Sequence, residues 1–188
     1  MADKAIARRV GGVRPSQMMY TYGVGSTVDL PNLSVIIGGL DDWDETQQTT
    51  ITEERLLAAV RLDSHVGPQV DQLRGAPWEP ETRNPLESWA FIGVPVMPFP
   101  RWMRCSNPGC NLLAPIDSDL FELEVEPSKP HLARYVHKCM SGSKPPTAIP
   151  ARFVIACPDG HLDEFPWVEY CHKDKACSGK PILEVMVL

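Results

Sequence analysis

The sequence predicts an α+β fold of short strands, few helices and long loops, and three observations predict it. Nineteen of the 188 residues are proline, about twice the usual share of roughly 5%, so elements should be brief and joined by extended connections. Apolar runs with period-two alternation or β-branched character outnumber runs with helical spacing. All six cysteines, Cys105, Cys110, Cys139, Cys157, Cys171 and Cys177, lie in the second half of the chain. The chain therefore reads as an N-terminal α+β region, residues 1–98, followed by a cysteine-rich region, residues 99–188.

The elements follow in order. Tyr20 to Leu40 mixes glycine punctuation with β-branched residues, and Leu33 to Ile37 has the continuous apolar character of a buried strand. Asp41, Asp42, Trp43, Asp44 and Glu45 make an acidic turn after it. Thr50 and Glu53 have capping-box spacing, and Leu56, Ala59 and Val60 recur at helical spacing, which predicts a helix over about Ile51 to Leu62. It should stop at Asp63 and Ser64, ahead of Gly67 and Pro68. Arg74 to Pro85 has no periodicity and reads as a loop, and Trp89 to Met97 can pair only at a sheet edge. Phe121, Leu123 and Val125 alternate with Glu122 and Glu124, the pattern of a half-buried strand. Ser141 to Pro150 reads as a second loop, Arg152 to Ala156 as a strand leading into Cys157, and Ile182 to Leu188 as a last strand.

Charge and hydropathy exclude several classes. The net charge of -6 gives no overall basic field for non-specific phosphate binding. Basic residues gather only near the start, at Lys4, Arg8, Arg9 and Arg14, and around Trp102, at Arg101 and Arg104. The first residues hold no apolar run long enough for a signal-peptide core. The longest apolar stretch, Trp89 to Pro100, is broken by Gly93, Pro95 and Pro98, well short of the roughly 20 residues of a spanning helix. A cytoplasmic protein with no membrane segment is expected.

In a reducing compartment clustered thiols bind metal more often than they form disulfides. Cys105 and Cys110 flank Asn107, Pro108 and Gly109, all turn formers, as in a metal-binding knuckle. Cys157 and His161 flank a Pro-Asp-Gly turn, and His137 precedes Cys139 by two residues. The expected first site is Cys105, Cys110 and Cys139, closed by Cys157 or by His137, with His161, Cys171 and Cys177 left for a second. The opposite partition joins Cys157, His161, Cys171 and Cys177. Zinc suits thiolate and imidazole donors, and such a site would supply roughly 10 kcal/mol or more of folding free energy. The region 99–188 is thus expected to be stapled by Zn2+.

Catalytic signatures are missing from the sequence. There is no HExxH, and His161-Leu162-Asp163 matches neither half of the zinc deaminase pattern. Tyr22 to Thr27 lacks the Gly-Lys-Ser/Thr of a phosphate loop and reads as a glycine-rich turn before a strand. His65 has no partner signature and reads as a surface histidine. No enzymatic activity is expected.

Four stretches together resemble a known family. They are Arg14-Pro15-Ser16-Gln17, the run TYGVGSTVDLPNLSVIIGGLDDW from Thr21 to Trp43, FPRWMRC from Phe99 to Cys105, and PARFVIACPDGHLDEFPW from Pro150 to Trp167. In this order they resemble the N-terminal part of DrmB, the helicase-associated subunit of the bacterial DISARM anti-phage system. The resemblance implies a non-enzymatic subunit that docks on a DrmA-like helicase and meets foreign DNA through that complex. It also implies metal ligation by Cys105 with Cys110, by Cys139, and by Cys157 with His161. Two departures are visible: Cys139 is followed by Met140, Ser141 and Gly142 where a paired cysteine is expected, and family members are much longer. A fragment or split subunit, truncated at its C-terminus, is therefore expected. Arg14, Arg101, Trp102, Arg104 and Trp167, together with Phe165, are the interface or DNA candidates, because aromatics flanked by charge suit protein contacts or base stacking. Two other readings remain open: a metal-dependent nuclease built on Asp159, His161, Asp163 and Glu164, and an unrelated zinc-binding interaction module.

Overall fold

The proline content and the short apolar runs translate into strands of two to four residues and three helices among the described residues. In this computed structural model those residues are 10–43, 49–77, 93–126, 128–141, 144–173, 175, 178–179 and 182–185. In chain order the elements are α1 (Pro15–Tyr20), β1 (Thr27–Asp29), β2 (Ser34–Ile37), β3 (Thr50–Ile51), α2 (Glu54–Arg61), β4 (Leu73–Arg74), β5 (Val96–Pro98), β6 (Trp102–Cys105) and β7 (Leu112–Pro115). They continue with β8 (Glu122–Glu124), β9 (Arg134–Val136), β10 (Thr147–Pro150), β11 (Val154–Ala156), β12 (Leu162–Glu164), α3 (Trp167–His172) and β13 (Leu183–Glu184). No described helix is long and apolar enough to cross a membrane.

The chain divides into two compact units, one of Met1–Ile37 with Val96–Leu188 and one of Gly38–Pro95. The sequence had suggested a single cut at residue 98. The reason for the difference is strand pairing: β2 pairs antiparallel with β5, Val35 opposite Pro98 and Ile37 opposite Val96. That pairing brings the two ends of the second unit's sequence together and returns the early strands to the cysteine-rich half.

The first unit holds two main sheets. One runs β1-β2-β5, the other β13-β7-β6-β10-β9-β8. Leu33 to Ile37 is the expected buried strand, with Val35 and Ile37 in the core. β5 lies at an edge, as its Pro98 requires, because proline has no N–H for the ladder. In the larger sheet β6 alternates strictly: Met103 and Cys105 are fully buried while Trp102 and Arg104 on the other face are half-buried. Met103 pairs with Ala114 of β7 on one side and Pro150 of β10 on the other. Phe121 is buried beside β8, and Glu122 is exposed, the half-buried pattern expected there.

Ser141 to Pro150 is corrected. Thr147–Pro150 is not a loop but β10, an interior strand between β6 and β9. Four strand residues sit behind Lys144, Pro145 and Pro146, and the prolines mask them. Ala148 is fully buried opposite Cys105 and Tyr135.

In the second unit, α2 begins at Glu54 rather than Ile51, because Thr50 and Ile51 pair with Arg74 and Leu73. The cap is Glu53, whose Oε1 accepts the Arg55 N–H at 3.2 Å. The helix ends where expected. Asp63 Oδ1 accepts the N–H groups of His65 and Val66 at 2.8 and 3.2 Å. Gly67 then passes so close that a Cβ there would lie 2.5 Å from the Val60 and Arg61 carbonyl oxygens. Asp44, Glu45, most of the 74–85 loop, and Trp89 to Ile92 lie outside the described residues.

Candidate metal centre

β6 and β9 both run antiparallel to β10, so they run parallel to one another and leave the sheet at the same end. That end carries the cysteines. Cys105 closes β6, and the chain turns through Ser106 to Cys110 before β7. Asn107 organises the turn: its carbonyl accepts the N–H of Cys110 at 2.9 Å and its Oδ1 accepts that of Gly109 at 3.0 Å. Asn111 adopts a left-handed conformation at φ 49, which asparagine tolerates better than most residues. Its side chain donates to the Pro108 carbonyl at 2.7 Å and accepts from Arg104 at 3.1 Å.

The second arm follows β9. The His137 N–H donates to the Pro146 carbonyl at 3.0 Å, holding the strand exit against the approach to β10. Its ring packs edge-on against Phe121, centroids 5.6 Å apart. Ligand-type atoms of Cys105, Cys110, His137 and Cys139 all lie within 4.8 Å of one another. Cys105 Sγ is 3.9 Å from Cys139 Sγ, and Cys110 Sγ is 3.4 Å from His137 Nδ1.

These distances can be tested against a tetrahedral ion. Zn–S bonds of about 2.3 Å and Zn–N bonds of about 2.0–2.1 Å place neighbouring ligand atoms about 3.5–3.8 Å apart. The two separations bracket that range, so the four residues could hold a metal ion without rearrangement of the backbone. Electrostatics agree with the donor set. Burial depresses the His137 pKa, favouring the neutral imidazole that a metal ligand must be. Burial first, and then the neighbouring thiols, push the Cys105 thiol up to about 12. The Asn107 amide, 3.4 Å from Cys139 Sγ, is the main cause of a lowered Cys139 pKa. A cation would reverse the rise at Cys105, because a coordinating thiol is deprotonated.

The fourth member of this group is His137, not Cys157. Cys157 belongs to a separate, exposed group with Asp159 and His161. Sequence spacing could not separate them, because the choice depends on which turn β10 brings to β6. Cys171 is exposed on α3 and joins neither group, and Cys177 lies outside the described residues. Asn107 was named only as a turn former; its amide contact to Cys139 depends on tertiary proximity.

The remaining candidates scatter. Arg14 caps α1, its N–H donating to Gln17 Oε1 at 3.0 Å. Lys4, Arg8 and Arg9 lie outside the described residues. Arg101 pairs with Asp117 at 2.7 Å, and its backbone N–H donates to Glu164. Asp163 Oδ1 accepts the Glu164 N–H at 2.7 Å. Asp159 and His161 therefore share a group with Cys157 that Asp163 and Glu164 do not enter, and the four-residue nuclease set does not assemble among the described residues. Trp167 opens α3 and stacks against Phe165, centroids 4.7 Å apart, with Phe153 at 5.5 Å. Its Nε1 is buried and has no hydrogen-bond partner among the described residues. Trp167 and Phe153 line, with Arg104 and Arg152, a groove of about 420 Å3.

With this geometry in place, the comparisons with known proteins can be stated. The chain is similar to the DISARM protein DrmB of Bacillus paralicheniformis, with 36% identity over 89 residues. The match covers 46% of this chain and 14% of that relative, so the chain spans only a small part of the relative's length. A family model described as a domain of unknown function (DUF8724) matches residues 14–186. That match takes in both arms of the metal centre and the aromatic groove, and the chain belongs to this family.

Proposed function

We propose that this chain is a non-enzymatic, zinc-stapled part of an anti-phage DNA-defence complex of the DISARM type. In this reading it docks on a DrmA-like helicase and helps that complex engage foreign DNA. The observation that carries the reading is the 36% identity over 89 residues to a DISARM protein DrmB.

The site supports the structural half of the proposal. Three thiols and one imidazole, with Cys105 fully buried, are the donor set of a closed structural zinc centre, and zinc is the metal proposed. Bound there, the ion would supply cross-linking and no chemistry, since all four positions are taken by protein. Cys105 and Cys110 would tie the β6–β7 turn to His137 and Cys139 after β9. β10 would thereby be held between two strands fixed at one end.

The functional half rests on the groove and its surroundings. Arg104, Arg152, Phe153 and Trp167 offer cations beside aromatic faces, a combination that suits a protein interface or base stacking. A net charge of -6 fits a subunit whose partner makes most of the phosphate contacts. The test is co-elution of the purified protein with a DrmA-like helicase from the same genome. Co-elution that persists at low salt is expected, and separate elution of the two proteins at low salt would overturn the docking role.

A further inference from the structure

The segment Cys157-Pro158-Asp159-Gly160-His161 has no part in the four-ligand centre. It joins β11 to β12, and two backbone bonds set its shape. Cys157 N–H donates to the His161 carbonyl at 3.0 Å, and Gly160 N–H donates to the Cys157 carbonyl at 3.0 Å. Gly160 sits at φ +85, a conformation that costs most other residues about 1–2 kcal/mol. The turn thus places three different donors at alternate positions, with a proline and a glycine between them. Their ligand atoms lie within 4.8 Å of one another, and Cys157 Sγ is 3.2 Å from His161 Nδ1.

We infer that this turn is a second metal site, holding a divalent ion of borderline softness such as Zn2+ through one thiolate, one carboxylate and one imidazole, with its fourth position open to solvent. The donor mixture selects the ion class. A thiolate beside an imidazole favours zinc and its neighbours over magnesium or calcium, which prefer all-oxygen shells. Exposure sets the character of the site. All three side chains are exposed, so the ionised thiol and carboxyl keep much of their hydration, and the ion remains accessible to water and competing ligands. The ion here should exchange readily, whereas the one at Cys105, buried in the sheet, should exchange slowly. This inference stands on its own residues and does not depend on the defence reading.

Zinc counting on the full chain tests it. After equilibration in buffered zinc and gel filtration, the protein should carry two equivalents, one of which leaves quickly to a moderate chelator. The double variant Cys157→Ser with His161→Ala should carry one equivalent, the slowly exchanging one, with an unchanged circular dichroism spectrum. Cobalt substituted into the fast site should give the weak charge-transfer absorption of a single thiolate. Asp159→Asn, which leaves thiol and imidazole in place, should loosen the fast ion by at least the roughly 10-fold seen on losing even an outer-shell partner. One equivalent in the unmodified protein, or two in the double variant, would overturn the inference. Neither result would alter co-elution with the helicase, so the two proposals fail separately.

Discussion

The Nδ1 of His137 lies 3.4 Å from the Sγ of Cys110, a side chain 27 residues earlier in the chain. The contact joins the turn after β6 to the exit from β9, two segments that do not hydrogen-bond to each other as strands. Replacing His137 with alanine removes one of four donors without touching any sulfur. The expected result is loss of tightly bound zinc and a melting temperature lowered by many degrees, since a structural zinc contributes on the order of 10 kcal/mol. A strong chelator should do the same to the unmodified protein. Unchanged melting in both experiments would show that the sheet does not need an ion.

Acidity gives an independent handle on the same centre. Burial holds the Cys105 thiol protonated up to about 12, so any metal that binds there must displace that proton. The sign is fixed: raising the pH lowers the cost of losing the proton and strengthens binding. Each pH unit should therefore tighten zinc by about tenfold for this proton alone. Competition titrations between about pH 6.5 and 8.5 would reveal it, and a flat profile would mean that Cys105 is not a ligand.

Packing makes a prediction free of metal. Met103 is fully buried at the centre of the six-stranded sheet, between Ala114 and Pro150. Met103→Ala should cost about 2–5 kcal/mol, the range for deleting a large core side chain. The denaturant midpoint should fall while the slope stays constant. A shift below about 0.5 kcal/mol, typical of surface changes, would contradict the core assigned to this sheet.

The aromatic groove predicts how docking should break. Trp167 combines a large apolar face with a buried Nε1 that lacks a partner among the described residues. If the helicase covers this surface, Trp167→Ala should weaken the complex by about 2 kcal/mol or more, the scale of an interface hot spot, or at least about 30-fold in Kd. Arg14→Ala, on the distant-in-sequence α1, serves as the comparison. Equal and small effects of both substitutions, with the fold intact, would place the interface elsewhere.

The parts of this molecule that were legible in the sequence are those governed by neighbours along the chain. The β-branched run at Val35 to Ile37 formed its buried strand, and the alternation around Leu123 formed its half-exposed one. The Cys105–Cys110 turn was readable because asparagine, proline and glycine specify local backbone geometry. Ligand partition was not readable, since it depends on strand order. Only the insertion of β10 between β6 and β9 brings His137 to Cys110 and leaves Cys157 on another turn. Pro146 and Pro150 suggested a loop because proline usually interrupts a ladder. Here they bound a strand, with Pro146 supplying a carbonyl to His137.

Strand order also bears on synthesis. Thr147–Pro150 leaves the ribosome after both β6 and β9, yet it must lie between them. A nascent chain that has emerged only through Cys139 has all four donors but lacks the spacer that sets their separation. Ion capture at that stage would need β6 and β9 to approach without the intervening strand, so a coordinated but unfinished intermediate would have to open to admit it. The route that avoids such a trap lets residues 147–150 slot in first, making the metal the final clasp on an already ordered sheet.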